Sequence, residues 1–259
     1  MSLSSVLDEL RQILYKETGV LIKKEKNFLL ENRLRKRIRE SHLEDLNEYL
    51  SFLKQNSEEK AHFISTMTTH KTFFYRESFN LDKIDEFVNL KSDNDIFYIM
   101  CAACSTGEEA YSIASHLERM RSSKPFDYRI LAFDICTESL ETARNGVYIN
   151  SRDKVLGSGY EEFFEFKNED VHVKDVLKKK IKFRHMNLID LNLPHNMVFD
   201  VIYARNVFIY FDESMISRAL NSFQKVQKVG GKLILGLSEH VDHHQYSALG
   251  GSIYEKKVA

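Results

Sequence analysis

The residues with the clearest capacity for chemistry sit where a short apolar run stops. Ile96 to Ala102 reads as a strand because it is brief and rich in β-branched and aromatic side chains. Ala103-Cys104-Ser105-Thr106-Gly107 is a turn of small residues, and beyond it Ala110, Ile113, Ala114 and Leu117 recur at helical spacing. A strand, a tight turn and a new helix bring unpaired backbone N–H groups to one point, where nucleotide-like cofactors bind in open α/β sheets. The charge of the turn then selects the cofactor. A dinucleotide's phosphates call for G-x-G-x-x-G without an adjacent acid, whereas here one glycine is followed by Glu108 and Glu109. Two acids suit an ammonium or sulfonium ligand, so S-adenosylmethionine is expected rather than NAD. For Glu108 the preference of acids for a helix N-terminus is an equally good explanation.

Arg129 to Phe133 is a second strand, ending in Asp134, with a helix from near Thr137. An acid at that strand end is placed to accept both ribose hydroxyls. Cys101-x-x-Cys104 has redox or zinc spacing, but Cys136 is the only other cysteine, so a four-ligand set is missing. Packing at strand ends is the preferred reading; oxidation of Cys104 and Cys136, which follow neighbouring strands, stays open. His240, His243 and His244 lack an accompanying pattern of acids and read as a surface cluster. No metal site is expected.

The elements that must position these residues divide the chain of 259 residues, enough for one large or two modest domains. Apolar stripes at Leu3, Val6, Leu7, Leu10, Ile13 and Leu14, at Leu30, Leu34 and Ile38, at Leu46, Tyr49, Leu50 and Leu53, and at Phe63, Ile64 and Met67 predict about four short helices packed together. Thr68 to Glu77 has no clean period and joins this unit to the next. Ser92-Asp93-Asn94-Asp95 leads into the first sheet strand. After Asn145-Gly146, Phe163 to Lys167, Val171 to Lys174 and Ile181 to His185 alternate with short breaks, which predicts a hairpin rather than another strand–helix–strand unit. Phe199 to Ala204 is a further core strand. Glu213 to Lys228 is a helix stopped by Gly230-Gly231, followed by strands at Lys232 to Leu237 and Ser252 to Lys257; His240 to Leu249 is left unassigned. With a net charge of −1 there is no global field drawing the chain to nucleic acid or anionic lipid. The stretch from Met1 to Lys16 reads as an amphipathic helix and not a signal peptide, so a cytoplasmic protein without membrane insertion is expected.

Cys104-Ser105-Thr106-Gly107-Glu108-Glu109-Ala110-Tyr111-Ser112, Phe133-Asp134-Ile135, Asn187-Leu188, the run Phe199 to Asp212 containing Arg205-Asn206-Val207-Phe208-Ile209-Tyr210, Gly230-Gly231-Lys232-Leu233 and Ser238-Glu239 together resemble the chemotaxis receptor glutamate methyltransferases, the CheR family. The resemblance runs from near Leu10 almost to Tyr254 with the motifs in the same order. It implies a class I S-adenosylmethionine-dependent methyltransferase, a Rossmann-like doubly wound α/β sheet, with a small all-α N-terminal domain (1–70), a linker contributing to the cofactor site (71–90), and a methyltransferase domain (91–259) carrying an inserted antiparallel β-hairpin subdomain (158–180). It implies cofactor contacts from Thr72, Arg76, Glu109, Asp134, Asn187, Leu188, Asn206 and Val207, and from His70, which stands where the family has asparagine. In this reading Glu109 meets the methionine ammonium, Asp134 the ribose and Asn187 the adenine amino edge, with Leu188 and Val207 as apolar walls; S-adenosylhomocysteine is the product. Arg76 and Tyr210 are the expected catalytic pair, orienting a substrate carboxylate beside the methyl group, although Tyr210 also fits an aromatic core run. Ala110 replaces a usual proline.

Arg33, Lys36 and Arg37 share one face of the second helix. A solvated surface explains that face, and DNA binding is a weaker alternative without overall basicity or interleaved aromatics. The resemblance implies a third use, substrate binding at the acidic methylation region of the cytoplasmic helical domain of chemotaxis receptors. The hairpin tip lacks the glycine-rich loop of family members that dock a receptor tail peptide, so no tight tail docking is expected. A non-catalytic S-adenosylmethionine-binding signalling module is the alternative function; an NAD-dependent oxidoreductase is opposed by Glu108-Glu109 and the missing glycines.

Overall fold

The computed structural model describes residues 2–90, 95–194 and 196–258. Met1, the acidic lead-in at 92–94 and the expected domain start at 91 lie outside the described residues.

The amino-terminal helices are α1 (Leu3–Thr18), α2 (Asn27–Glu40), α3 (Leu46–Gln55) and α4 (Ser57–Met67). The starts of α3 and α4 are set by side chains that accept otherwise orphaned N–H groups: Asp45 from Asn47 and Glu48, and Asn56 from Glu58 and Glu59. Gly19 ends α1 at φ 77°, a left-handed position that favours glycine. The apolar stripes converge on one core, with Val6, Leu10, Leu14, Leu34, Leu53 and Phe63 all fully buried; each such side chain contributes about 1.5–3 kcal/mol through burial.

The basic face of α2 is only partly a face. Arg37 turns inward and donates to Glu59 at 3.0 and 2.5 Å, and Tyr49 adds a hydroxyl to the same carboxylate at 2.7 Å. Arg33 donates to the Met67 carbonyl at 2.6 Å, closing the end of α4. Lys36 remains exposed, 3.7 Å from Glu40.

The second unit is built on a sheet of β1 (Ile96–Ala102), β2 (Asp127–Asp134), β6 (Ile181–His185), β7 (Phe199–Tyr203), β8 (Gln227–Ile234), β9 (Tyr246–Gly250) and β10 (Ile253–Lys256), in the order β6-β2-β1-β7-β8-β10-β9. The first five of these in that order pair in parallel, and β10 runs antiparallel to β8 and β9. Alternate residues feed opposite layers. Phe97, Ile99 and Cys101 face α5 (Phe79–Asn89), α6 (Glu108–Met120) and α7 (Thr137–Asn145), while Met100 and Ala102 face α9 (Glu213–Val226). Among the described residues no helix is long and apolar enough to cross a membrane.

Three sequence readings differ from this arrangement, and one unassigned segment gains a strand. Residues 79–89 are the helix α5, whose Leu81, Ile84 and Val88 pack on the sheet, although no helix was expected within 71–90. Ile181–His185 joins the main sheet beside β2 instead of extending a hairpin, because its partly buried alternation matches an edge strand of either sheet. Gly230-Gly231 lies within β8 and does not stop the preceding helix, which ends at Val226. A Cβ on Gly231 would approach the Lys228 and Asp200 carbonyl oxygens at 2.8 and 3.0 Å, at the register shift between Phe199 and Val201. The unassigned segment contains β9.

The insertion is a three-stranded antiparallel sheet of β3 (Val147–Tyr148), β4 (Phe164–Lys167) and β5 (Asp170–Val173), in the order β3-β5-β4, followed by the single-turn α8 (Asp175–Lys178). It grips the segment between the two units: Phe74 meets Tyr148 and Phe164 edge-on at 4.8 and 5.3 Å, and Tyr160 stacks on Tyr75 at 5.0 Å.

Arg37→Ala leaves Glu59 a buried, unpaired charge, which costs about 3–5 kcal/mol; thermal unfolding should register it as a large fall in Tm with the methyltransferase unit still folded. Burial alone would raise the Glu59 carboxyl, but Arg37 and Tyr49 hold it below its ordinary range. This stabilisation is present above the unfolded-state value of ~4.3 and is lost as pH falls through the lower folded value. Arg37→Ala should therefore flatten the acid limb of the stability curve.

Candidate active site

The carboxyl ends of β1, β2 and β7, the strap of residues 68–78 and the end of α1 enclose a cleft of about 240 Å³. His70, Thr72, Arg76, Glu109, Asp134, Asn187, Leu188, Asn206, Val207 and Tyr210 all line it. Of the nine described non-glycine residues with positive φ, five surround this cleft: Tyr75, Glu77, Ala103, Ser105 and Asn206. Each costs ~1–3 kcal/mol unless its surroundings impose it, and buried charged groups supply much of that restraint.

Asp134, buried at the end of β2, accepts from the backbone N–H of Ser105 at 2.8 Å and of Cys136 at 2.9 Å. Each oxygen keeps a second lone pair, so the carboxylate that shapes the first turn can also accept hydroxyls. Gly107 has a different role from the one its turn suggested. A Cβ there would lie 2.8 Å from that of Ala143, and φ is 94°. The glycine permits close packing of α6 against α7, while Ala103, Cys104 and Ser105 form the part of the turn that reaches the cleft.

Arg205, buried just after β7, donates to Glu109 at 2.5 Å, to Glu77 at 2.8 Å and to the Arg76 carbonyl at 2.8 Å. Burial would lower its pKa, but the two carboxylates raise it. Burial likewise pushes Glu77 up, and Arg205 holds it below the ordinary carboxylate range. The cluster thus holds one cation between two anions, and the neighbouring Arg76 charge also acts on Glu77. Arg76 itself donates to the Lys71 carbonyl at 3.2 Å and lies over the Phe73 ring at 5.7 Å.

Glu239, buried beyond β8, accepts from the N–H groups of Asn206 (2.6 Å), Phe208 (2.7 Å), Ile209 (3.3 Å) and Gly236 (2.7 Å). It thereby fixes the loop and the 3₁₀ turn Phe208–Tyr210. Within that aromatic run Phe208 is core, whereas Tyr210 is half-buried and lines the cleft. The Asn187 amide donates to the Glu17 carbonyl at 2.7 Å and accepts from Ile189 at 3.2 Å, tying the loop after β6 to α1. The His70 ring lies within 2.8 Å of the Thr68 hydroxyl and 3.0 Å of the Ser65 carbonyl. Burial would lower it, but hydrogen bonds to Cys136 and Ser65 push it up to about 8. The same partnership, with Ser139 and Ser65, overcomes burial to bring Cys136 down to about 7. Cys101 and Cys104 are free and buried, their thiols pushed up by burial. Among the described residues no cluster of His, Cys, Asp and Glu has metal-binding form. Arg37 is engaged within the helical unit, and Arg33, which does not itself line the cleft, donates to the carbonyls of Met67 and Thr68 at its edge.

Sequence reasoning assigned no role to Arg205, Glu77, Glu239 or Asn80. The first three carried a weak signal, an Arg and two acids within the segments already singled out. Asn80 carried none.

A doubly wound sheet with this strand order, an acid at the end of its second strand and an acid-fronted first turn define a class I S-adenosylmethionine-dependent methyltransferase. The donor set fits that cofactor: hydroxyl acceptors on Asp134, the Glu77 and Glu109 carboxylates for a cation, and apolar Leu188, Val207 and Phe133 in the lining. Residues 70–252 match the CheR methyltransferase SAM-binding domain, and residues 5–68 match the CheR methyltransferase all-alpha domain. The chain is 33% identical over 251 residues to the chemotaxis protein methyltransferase of Borreliella burgdorferi, covering 91% of this chain and 88% of the relative. It is 32% identical to that of Salmonella typhimurium and 31% identical to that of Escherichia coli, in each case over 252 residues covering 94% of this chain and 87% of the relative. The chain belongs to the CheR methyltransferase family.

Glu239→Ala strands four N–H groups and frees the 205–210 loop. Hydrogen exchange at 206–209 should accelerate, and the affinity for S-adenosylhomocysteine should fall about tenfold, a loss of ~1.4 kcal/mol.

Proposed function

We propose that this protein is a cytoplasmic protein-glutamate O-methyltransferase that converts glutamate side chains in the cytoplasmic helical domain of chemotaxis receptors to methyl esters during sensory adaptation. The observation that carries the reading is the convergence of Arg76 and Tyr210 on the cleft that also holds Glu77 and Glu109, both bridged by Arg205. Bound there, S-adenosylmethionine supplies an electrophilic methyl on a sulfonium centre.

The chain's own residues do the rest. Glu109 and its neighbours receive the cofactor's ammonium, Asp134 its ribose, Asn187 its adenine edge through the lone pair left on its side-chain oxygen, and Leu188 and Val207 its ring faces; His70, Thr72 and Asn206 complete the lining. A substrate glutamate has a pKa of ~4.3 and arrives ionised, so no general base is required. Alignment is the main contribution, worth up to ~7–11 kcal/mol in ideal cases, together with removal of water from the carboxylate. Arg76, restrained by Lys71 and Phe73, and Tyr210, at the end of a pinned turn, orient the carboxylate without a tight ion pair that would quench its lone pair.

The all-α unit (1–70) presents Lys36 with exposed Arg35 and Arg39 to the acidic methylation region, where opposite charge accelerates encounter. Arg33 and Arg37 support that face from within. The insertion braces the strap, and the β4–β5 turn at Asn168-Glu169 is too short for tight capture of a receptor tail.

The test is transfer of labelled methyl from S-adenosylmethionine to chemoreceptor-containing membranes. Wild type should give base-labile label, and Arg76→Ala should reduce the rate about a hundredfold. Normal cofactor binding without label on any receptor would instead support a signalling module.

A further inference from the structure

Buried polar groups in folded proteins are almost always hydrogen-bonded, so an orphan calls for a partner. Among the described residues the orphaned side-chain atoms are Nδ2 and Oδ1 of Asn80, Nε of Arg205, Nε2 of Gln227 and Oε1 of Gln245. Three of these five belong to the same cleft, since Asn80 and Arg205 both line it. Asn80 is 1% exposed, sits in the first turn of α5, and is held only through its backbone: its N–H donates to the Glu77 carbonyl at 3.1 Å and its carbonyl accepts from the Tyr203 hydroxyl at 3.4 Å. Its side-chain amide is thus a fully buried donor and acceptor without partners, beside the Glu77–Arg205–Glu109 cluster.

The geometry points to Asn80 as a further cofactor-binding residue that grips the zwitterionic α-amino-acid head of the cofactor, Nδ2 donating to its carboxylate and Oδ1 accepting from its ammonium. Arg205 Nε offers a second unused donor on the same wall. An amide with both functions unpaired matches a head group bearing one anion and one cation, whereas a purely cationic ligand would leave Nδ2 orphaned. The buried amide turns toward the cleft to make these bonds, and a ligand without the head group leaves it unpaired, so donor and acceptor discriminate between ligands that have the head group and ligands that lack it. This inference rests on the assignment of the cleft to S-adenosylmethionine.

The experiment compares calorimetric binding of S-adenosylhomocysteine, which carries the amino-acid head, with that of 5′-methylthioadenosine, which lacks it, in wild type, Asn80→Leu and the smaller Asn80→Ala. Thermal unfolding of the ligand-free proteins is measured alongside. Both variants should lose about tenfold in affinity for S-adenosylhomocysteine and less than about twofold for methylthioadenosine. Asn80→Leu should unfold no earlier than wild type, because removing an unpaired buried amide breaks no hydrogen bond. Unchanged affinities, an equal loss for both ligands in both variants, or a lower Tm in Asn80→Leu with unchanged binding would overturn the proposal. Failure of wild type to bind either ligand would overturn the cofactor assignment itself.

Discussion

The site depends on one buried cation. Arg205 reaches forward from the end of β7 to Glu109 on the first helix after β1, to Glu77 on the strap, and to the backbone of Arg76. A guanidinium in this position is costly to desolvate and is tolerated because two carboxylates and a carbonyl meet it in a fork that only arginine offers. The arrangement joins three segments distant in sequence. It also brings two carboxylates to the cleft, and a cationic cofactor can use them.

Around this cation the backbone is held in conformations that it would not choose alone. Tyr75 and Glu77 flank Arg76 with positive φ, Ala103 and Ser105 do the same in the first turn, and Asn206 follows Arg205. Each strained segment has its own anchor: the strap has Arg205 and the Tyr160 stack, the first turn has Asp134, and the 205–209 loop has Glu239. Strain gathered at one cleft and opposed by buried charges is the pattern of a site organised before its ligand arrives. The helical unit belongs to the same construction, since Thr18 and Val20 line the cleft and the Leu21 N–H donates to the Tyr210 carbonyl at 2.9 Å.

What could be read from the sequence was whatever repeats locally. The four helical stripes, β1 with its turn and helix, and Asp134 at the end of β2 follow from period and punctuation, and the residues expected to touch cofactor all border one cleft. What could not be read depends on pairing across the chain. Ile181–His185 alternates equally well in either sheet, and its place beside β2 is decided by tertiary contacts. Gly230-Gly231 has the form of a helix stop, but its neighbours are carbonyls of a bulged strand. Arg37 looked like a surface charge because its partner, Glu59, comes from another helix. Arg205 and Asn80 acquire meaning only when segments about a hundred residues apart meet, and Glu239 only when it folds back onto residues 206–209.

If Arg205 assembles strap and pocket as one unit, its fork matters and not merely its charge. The direct measurement is calorimetric titration of S-adenosylhomocysteine into Arg205→Lys, which keeps the positive charge but cannot bridge Glu77, Glu109 and the Arg76 carbonyl together. The predicted result is a loss of affinity of about tenfold or more, ~1.4 kcal/mol, in a protein that still unfolds cooperatively. Affinity within about twofold of wild type would contradict the central place given to this residue.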